Sequence, residues 1–438
     1  MTDYRNLRVA LLGAGSVGSQ TARLLLEHAD ELASRVGARL ELAGVAVRNL
    51  SATRDVQLPA ELYTTDAEAL IESSDIVVEL MGGIEPARTY IIQALTSGAD
   101  VITANKALLA EHGTELFALA DRVGAQLYYE ASVAAAIPIL RPLRDSLAGD
   151  RINRVMGIVN GSTNYILDRM DRYGDSAEDA AQTALELGFL EADPTLDVEG
   201  FDAAQKVTIL ASLAFHTRVP VSAVYREGIT GVTLDQIRAA KNAGYVIKLL
   251  AIAERLTDPE TGADAISARV YPALISREHP LASVYEGKNA VFVEAEAAGS
   301  LMFYGAGAGG VETASAVMGD LVSAARRHVA GGPGLAQNAH ADLPLLPVGA
   351  INTRYHITLR VADEPGVLAR VASVLATHGV SVENVLQTVP DAADADGTAT
   401  LVIGTHTARE AALAATVKEL AVIGVVRAVS SVLRVEGI

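Results

Sequence analysis

The stretch that decides the fold reads Leu7-Arg8-Val9-Ala10-Leu11-Leu12-Gly13-Ala14-Gly15-Ser16-Val17-Gly18. Its apolar half is typical of a short buried strand, and a helical pattern follows the glycines. The glycines permit a tight turn and close backbone approach, while the helix N-terminus offers N–H groups to a pyrophosphate. The sequence therefore predicts dinucleotide binding at residues 13–18, and the open alternative is a glycine-rich turn before an unrelated helix.

The second predicted strand, residues 40–47, is followed directly by Arg48. A NAD-specific fold usually places an acid there to hold the ribose hydroxyls, whereas an arginine suits the 2′-phosphate of NADP. We therefore expect NADP(H) to be preferred, with NAD(H) as the second cofactor. The alternative reading of Arg48 is a solvated surface arginine.

Strand-like and helical segments alternate through residues 1–150, which predicts a doubly wound Rossmann-type cofactor domain. Residues 151–311 read as an α+β substrate and oligomerisation domain. A second glycine loop, residues 305–310, opens a helix near 312–327 that we expect to complete the cofactor domain, although a flexible connection is the alternative. A Gly- and Pro-rich linker, 329–349, precedes residues 350–438, whose βαββαβ order predicts a ferredoxin-like sandwich.

Composition excludes several classes of protein. The 438 residues contain no cysteine, so disulfides, thiolate nucleophiles and zinc–thiolate sites are excluded. A net charge of −18 disfavours nucleic acid and acidic membranes as partners, because both are polyanionic. The nine histidines form no pair with metal-ligand spacing. With neither an apolar leader nor a long apolar stretch, we expect a cytoplasmic protein.

Residues 188–206 place several acids just before an apolar helix. Asp202 and Lys206 stand four apart, on one helical face, and the residues after them are apolar on nearly every side. An isolated pair of this kind is usually a surface ion pair. Only six lysines occur in the chain, however, and an ammonium can give up a proton that a guanidinium keeps. We therefore read Lys206 as part of a reactive site.

Several motifs in the same order identify the chain as similar to bacterial homoserine dehydrogenases with a C-terminal ACT domain. The resemblance covers essentially the whole length. Besides residues 13–18, it rests on Thr103-Ala104-Asn105-Lys106, Asn160-Gly161-Ser162-Thr163-Asn164-Tyr165-Ile166, the run from Glu191 to Lys206, Gly305 to Ser315, and Val361-Ala362-Asp363-Glu364-Pro365-Gly366-Val367-Leu368.

The resemblance implies reduction of aspartate 4-semialdehyde to homoserine, on the route to threonine, methionine and isoleucine. It implies that Lys206 is the proton donor and that Lys106 lies near the reacting carbonyl and the nicotinamide. The substrate-binding residues that it implies are Glu191, Asp197, Asp202, Gly161 and Ser162. Thr103, Lys106 and Gly307 join the glycine loop and Arg48 as implied cofactor-binding residues.

A monovalent-cation loop is also implied by the resemblance, with sodium held by the Glu130 carboxylate and by the carbonyls of Val133, Ala135 and Ile137. Here the chain departs from the family. Relatives usually carry glycines where this chain has residues 134–136, all alanine, and backbone angles that suit glycine are unfavourable for alanine. Phe189 likewise replaces the tyrosine of many relatives.

The ACT resemblance implies feedback regulation, with threonine as the expected effector, and the family implies a homodimer or homotetramer. Two rival functions remain open at this stage. One is a non-catalytic amino-acid sensor with a vestigial dehydrogenase body. The other is a different ACT-bearing dehydrogenase, acting on phosphoglycerate or prephenate, although those chemistries depend on a catalytic histidine.

Overall fold

The computed structural model describes residues 5–54, 56–190, 193–331, 341–388 and 397–437. Its strands are β1 (Arg5–Leu12), β2 (Ala38–Ala46), β3 (Tyr63–Thr64), β4 (Ile76–Glu79), β5 (Asp100–Thr103), β6 (Leu127–Tyr128), β7 (Ile152–Ile158), β8 (Tyr225–Arg226), β9 (Tyr245–Thr257), β10 (Asp264–Ser276), β11 (Lys288–Ala295), β12 (Gly299–Ala306), β13 (Asn352–Ala362), β14 (Val382–Thr388), β15 (Thr398–Thr405), β16 (Ala408–Arg409) and β17 (Val426–Glu436). Its helices are α1 (Ser16–Glu27), α2 (Ala29–Val36), α3 (Ala67–Glu72), α4 (Ala87–Thr96), α5 (Lys106–Val123), α6 (Gly161–Tyr173), α7 (Ala177–Glu186), α8 (Thr195–Val198), α9 (Phe201–Ala214), α10 (Leu234–Asn242), α11 (Gly310–Ala330), α12 (Val367–Thr377) and α13 (Glu410–Leu420).

The chain forms two compact units, each assembled from three segments. The first comprises Met1–Gly161, Asp202–Ser222 and Gly287–Asp342, and the second comprises Ser162–Phe201, Ala223–Glu286 and Leu343–Ile438. The domain limits expected from the sequence therefore cut across these units. The expected domains are continuous stretches of sequence, whereas each compact unit is not, because the chain leaves the first unit and returns to it twice.

The first unit contains the predicted doubly wound sheet. Six strands pair in the order β3-β2-β1-β4-β5-β6, and every pairing is parallel. Buried Leu7, Val9 and Leu11 of β1 pack in one core with Val317 and Leu321 of α11, so the helix after the second glycine loop covers this sheet. The Rossmann-type part of the predicted fold class is confirmed.

Three further strands of the first unit pair antiparallel. β11 lies between β7 and β12, with Ala290 opposite Ile158 on one side and Tyr304 on the other. Because of this register, the chain that follows Ile158 and the glycine loop that follows β12 begin at the same end of these three strands. Both carry residues implied in the active site.

The second unit contains the βαββαβ sandwich. Its strands lie in the order β17-β13-β15-β14, with antiparallel pairing throughout, and the packed residues of α12 and α13 share their core. β17 also pairs parallel with β10, which forms a long antiparallel hairpin with β9. The ferredoxin-like part of the prediction is confirmed, and the sandwich shares a strand pairing with the rest of its unit.

Buried polar groups line the join between β10 and β17. The fully buried Arg269 donates from Nε to the Tyr271 hydroxyl at 2.8 Å, and that hydroxyl donates to Glu436 Oε1 at 2.6 Å. Arg269 also bonds Glu254 at 2.7 Å. Because an unpaired buried charge is costly, these polar contacts favour this pairing of β10 with β17 over other pairings of the two strands.

No helix among the described residues is long and apolar enough to cross a membrane.

Candidate active site

The first glycine loop closes against the neighbouring strands. Gly13 has φ +100°, and a Cβ there would lie 2.8 Å from the Leu80 carbonyl oxygen. A Cβ on Gly18 would lie 2.2 Å from the Gly13 carbonyl oxygen, whereas Gly15, which precedes α1, faces open space. The loop and the ends of β2 and β4 border a cleft of about 600 Å³. A dinucleotide phosphate fits this arrangement because the glycines have no side chain to keep the ligand from the backbone N–H groups.

Two arginines line the same cleft. Arg48 is exposed at the end of β2, as the sequence predicts. Arg54 is a second cation that the sequence analysis did not single out, and its guanidinium lies 4.6 Å from the centre of the Tyr63 ring. It also donates to the carbonyls of Asn49, at 2.6 Å, and Ala52, at 2.9 Å. Arg54 therefore shapes the loop after Arg48 as well as adding positive charge.

Thr103 ends β5 and Lys106 follows shortly after, at the carboxyl edge of the sheet, where ligands bind in doubly wound sheets. The Thr103 hydroxyl donates to the buried carboxylate of Glu79 at 2.7 Å, and Glu79 also accepts the backbone N–H of Met81. Asn105 caps α5 by accepting from the Leu108 N–H. These contacts fix the start of α5, whose first residue is Lys106.

The centre of the site is a carboxylate held by two lysines. Lys206 Nζ lies 2.7 Å from Asp202 Oδ2, and Lys106 Nζ lies 2.5 Å from Asp202 Oδ1. Asn160 Nδ2 donates to Asp202 Oδ2 at 2.9 Å, and Lys206 donates to the Val159 carbonyl at 2.6 Å. The residues after β7 and the first turns of α5 and α9 thus form one cluster. Asp202 and Lys206, four residues apart, are therefore not a surface ion pair.

Burial distinguishes the members of this cluster. The side chain of Asp202 is 7% exposed and that of Lys206 is 10% exposed, whereas 41% of the Lys106 side chain is exposed. Burial opposes ionisation of Asp202, but the ammonium groups of Lys206 and Lys106 outweigh it and hold the pKa of Asp202 below its ordinary value. Asp202 is therefore a carboxylate at neutral pH, and it keeps two ammonium groups beside each other.

Among the other expected substrate residues, Gly161 begins α6, where a Cβ would lie 2.7 Å from the Gly287 carbonyl oxygen. The second unit holds Ser162, whose hydroxyl donates to the Phe189 carbonyl at 2.5 Å, and the half-buried Asp197 in α8. The Phe189 ring stacks on Tyr165 at a centroid distance of 5.0 Å. Glu191 lies outside the described residues.

The expected cation loop is a tightly bonded turn. The carboxylate of Glu130, buried at 5% exposure, accepts the backbone N–H groups of Ile139, Leu140 and Arg141 at 2.7–2.9 Å. Val133, Ala135 and Ile137 are all buried. Ala134 and Ala135 adopt left-handed backbone angles, with φ of +56° and +47°. The loop thus keeps the backbone conformation that glycine favours, although alanines occupy these two positions.

Comparisons with known proteins agree along the whole chain. Family models match at residues 13–130 (homoserine dehydrogenase, NAD-binding domain), 138–322 (homoserine dehydrogenase) and 355–425 (ACT domain). The homoserine dehydrogenase of Corynebacterium glutamicum is 52% identical over 430 residues, which cover 98% of this chain and 95% of the relative.

The chain belongs to the homoserine dehydrogenase family.

Solved homoserine dehydrogenases share the fold. The crystal structure of the Thiobacillus denitrificans homoserine dehydrogenase has a TM-score of 0.90 and 38% identity, covering 100% of this chain and 99% of that one. A hyperthermophilic archaeal homoserine dehydrogenase in complex with NADPH has a TM-score of 0.61 and 27% identity, covering 75% of this chain and 99% of that one.

Family membership makes this chain an NAD(P)-dependent oxidoreductase acting on a CH–OH group. The resemblance read from the sequence is confirmed. The reading as a phosphoglycerate or prephenate dehydrogenase is thereby excluded, and the sensor reading loses its basis, because the lysine cluster is intact.

Sequence reasoning missed several residues near this homoserine dehydrogenase site. Asn160 lay inside a quoted motif, but nothing marked it as the partner of Asp202. Glu79 could have been noticed as an acid ending an otherwise apolar strand. Arg54 and Asn289 carried no signal, because their significance lies in what folds against them.

Proposed function

We propose that this enzyme reduces L-aspartate 4-semialdehyde to L-homoserine, with NADPH as the preferred reductant. The observation that carries the proposal is the Lys106–Asp202–Lys206 cluster, which presents two ammonium groups around one buried carboxylate beside the cofactor domain. Reduction of an aldehyde requires a proton for the oxygen, and an ammonium held in a fixed position can supply it.

A nicotinamide cofactor, which residues 13–18 and Thr103 would hold, would supply hydride to the aldehyde carbon. The oxygen then carries developing negative charge, and Lys206 donates the proton to it. Val159 and Asp202 fix the Lys206 ammonium, so little reorientation is needed at that moment. Lys106, the more exposed of the two lysines, stabilises the charge on the same oxygen and is afterwards available to solvent.

The amino acid part of the substrate requires its own recognition. We propose that Glu191, Asp197 and Asp202 face the substrate ammonium and that Gly161 and Ser162 contact its polar groups. Asp202 already accepts three donors, and a carboxylate offers about four acceptor positions, so one remains for a substrate donor. Fixed carboxylates suit this task because an ammonium in a cleft is costly without a partner.

The preference for NADP is supported by Arg48 and Arg54, two cations at the end of β2 where an acid would favour NAD. The structural neighbour solved with NADPH supports the same choice.

We also propose that the Glu130 loop binds sodium. Glu130 accepts three backbone N–H groups and retains about one acceptor position. Within the described residues no cluster of three metal-ligating side chains occurs, so a site here would depend mainly on carbonyl oxygens, as suits a monovalent cation.

The biological setting that we propose follows the family. The enzyme would act in the cytoplasm, as a homodimer or homotetramer, in threonine, methionine and isoleucine biosynthesis. The ACT match supports amino-acid regulation, and threonine is the effector we propose.

Replacing the proposed proton donor tests the function. Lys206→Ala should lower kcat for aspartate semialdehyde reduction by at least about 100-fold, since a positioned general acid contributes about 10² to 10⁴. NADPH affinity, measured by fluorescence titration, should change little. Lys418→Ala is the matched control, because Lys418 lies exposed on α13 of the second unit.

Turnover near the wild-type rate in folded Lys206→Ala would refute the assignment of the donor. A wild-type enzyme that binds NADPH but leaves aspartate semialdehyde unreduced would refute the proposed substrate.

A further inference from the structure

Asn289, the second residue of β11, has a buried carboxamide with no hydrogen-bond partner in the described chain. The residue is 0% exposed, and neither its Oδ1 nor its Nδ2 is paired. A carboxamide offers two donors and two acceptor positions, and leaving them unpaired in the interior is destabilising. Such an orphan group indicates a partner that the chain itself does not supply.

The position of the carboxamide is set by two glycines. A Cβ on Gly307 would lie 2.0 Å from Asn289 Cγ, so the side chain occupies the space that any other residue at 307 would need. A Cβ on Gly161 would lie 3.5 Å from Asn289 Oδ1. Asn289 therefore lies against the second glycine loop and faces the first residue of α6.

The strand register brings Asn289 beside the reactive cluster. Ala290 pairs with Ile158 of β7, and the two residues after Ile158 are Val159 and Asn160. Val159 accepts a hydrogen bond from Lys206, and Asn160 donates one to Asp202. A partner of Asn289 would thus bind next to the proton donor, which is where a nicotinamide ring must react.

The chemistry of the missing partner is restricted. A carboxamide is best matched by a group with one donor and one acceptor side by side. The nicotinamide ring carries a carboxamide of this kind, whereas the ammonium of the substrate only donates and its carboxylate only accepts. Gly307, which lies against Asn289, belongs to the short connection between β12 and α11, residues 307–309, which contains only glycine and alanine and so can move without displacing a large side chain.

We propose that Asn289 binds the carboxamide of the nicotinamide ring. When residues 307–309 move off its side chain, Nδ2 donates to the carbonyl oxygen of the cofactor amide and Oδ1 accepts from the amide nitrogen. This contact goes beyond the proposed substrate and the NADP preference, and it rests only on the nicotinamide cofactor.

The test compares two cofactors on two proteins. Wild-type enzyme and Asn289→Leu are titrated calorimetrically with NADP and with its 3-acetylpyridine analogue, in which a methyl replaces the amide NH₂. Wild-type enzyme should bind NADP about tenfold more tightly than the analogue, as for one net hydrogen bond. Asn289→Leu should bind the two cofactors with equal affinity, because leucine cannot form a hydrogen bond with the amide of the cofactor.

The melting temperature of the cofactor-free protein provides a second measurement. Asn289→Leu should melt at or above the wild-type temperature, because it removes an orphan polar group. Asn164→Leu is the matched control. Asn164 is also buried, but it accepts from Lys248 at 2.8 Å and donates to the carbonyls of Val284 and Glu286, so its removal should lower the melting temperature.

The contact is refuted if Asn289→Leu keeps the wild-type preference for NADP, or if it loses affinity for both cofactors equally. Asn289→Ser, which adds no volume, carries the same comparison should the leucine variant not fold. Wild-type enzyme that binds neither cofactor would instead contradict the proposed function.

Discussion

Single residues determine both the charge of the site and its stability. Asp202 neutralises Lys106 and Lys206, and Asp202→Asn would leave a largely buried ammonium at Lys206 without its counter-ion. Breaking a buried pair typically costs about 3 to 5 kcal/mol. We expect Asp202→Asn to lose about this much unfolding free energy near neutral pH, measured by urea unfolding, with Asp235→Asn as the exposed control.

The pH dependence of that loss follows from the direction of the pKa shift. Because folding lowers the pKa of Asp202, its contribution is complete above the unfolded value of about 3.9 and is lost as the pH falls further, through the folded value. The stability difference between wild type and Asp202→Asn should therefore be constant from pH 7 to 5 and should shrink below about pH 4. A difference that grows on acidification would contradict this account.

Cofactor choice also belongs to single residues. Arg48→Glu should shift the ratio of kcat/KM for NADPH over NADH toward NADH by about 10-fold or more, because a charge-assisted contact of about 1.5 to 3 kcal/mol is replaced by repulsion. Binding should be measured separately, since an arginine that holds NADP too tightly can slow turnover. An unchanged ratio would mean that Arg48 is only a surface residue; Arg409→Glu, exposed in the second unit, is the control.

Among the elements, the loop before β11 contains a strained position. Glu286 is exposed and has φ +56°, a left-handed angle that costs a residue with a Cβ about 1 to 2 kcal/mol. Glu286→Gly should therefore raise the urea midpoint with an unchanged slope. Glu68→Gly makes the same chemical change in helix α3, where glycine should lower stability by about 1 kcal/mol. Equal effects at the two positions would refute the explanation from backbone angle.

Elements with a clear period were predicted well, and elements without one were not. The alternation of strands and helices expected through residues 1–150 is present, and so is each element of the βαββαβ order. β9 was not predicted, because residues 246–253 are buried at every position and show no alternation. In the site, the four-residue spacing of Asp202 and Lys206 was readable. The Lys106–Asp202 contact was not, since it joins helices distant in the chain.

At the scale of the whole molecule, regulation is expected to act through the second unit. Threonine should inhibit full-length enzyme, and a coupling of about 1 to 3 kcal/mol corresponds to about a 5- to 150-fold effect. Initial rates with and without threonine measure this inhibition, and valine, which has the same shape without the hydroxyl, is the control.

Tyr271→Phe should weaken the inhibition while sparing the uninhibited rate, because Tyr271 links β10 to Glu436 of β17.

Equal rates at all threonine concentrations would exclude threonine as the effector. Full inhibition retained in Tyr271→Phe would mean that the signal does not pass through this hydroxyl.

The pairing of β10 with β17 has a consequence for synthesis of the chain. Ala273, Leu274 and Ile275 of β10 pair with residues 434–436, which the ribosome makes on the order of ten seconds later. During that interval the edge of β10 is apolar and uncovered, and such an edge can pair with another nascent chain. We therefore expect the newborn chain to be exposed to such pairing until residues 434–436 have been made.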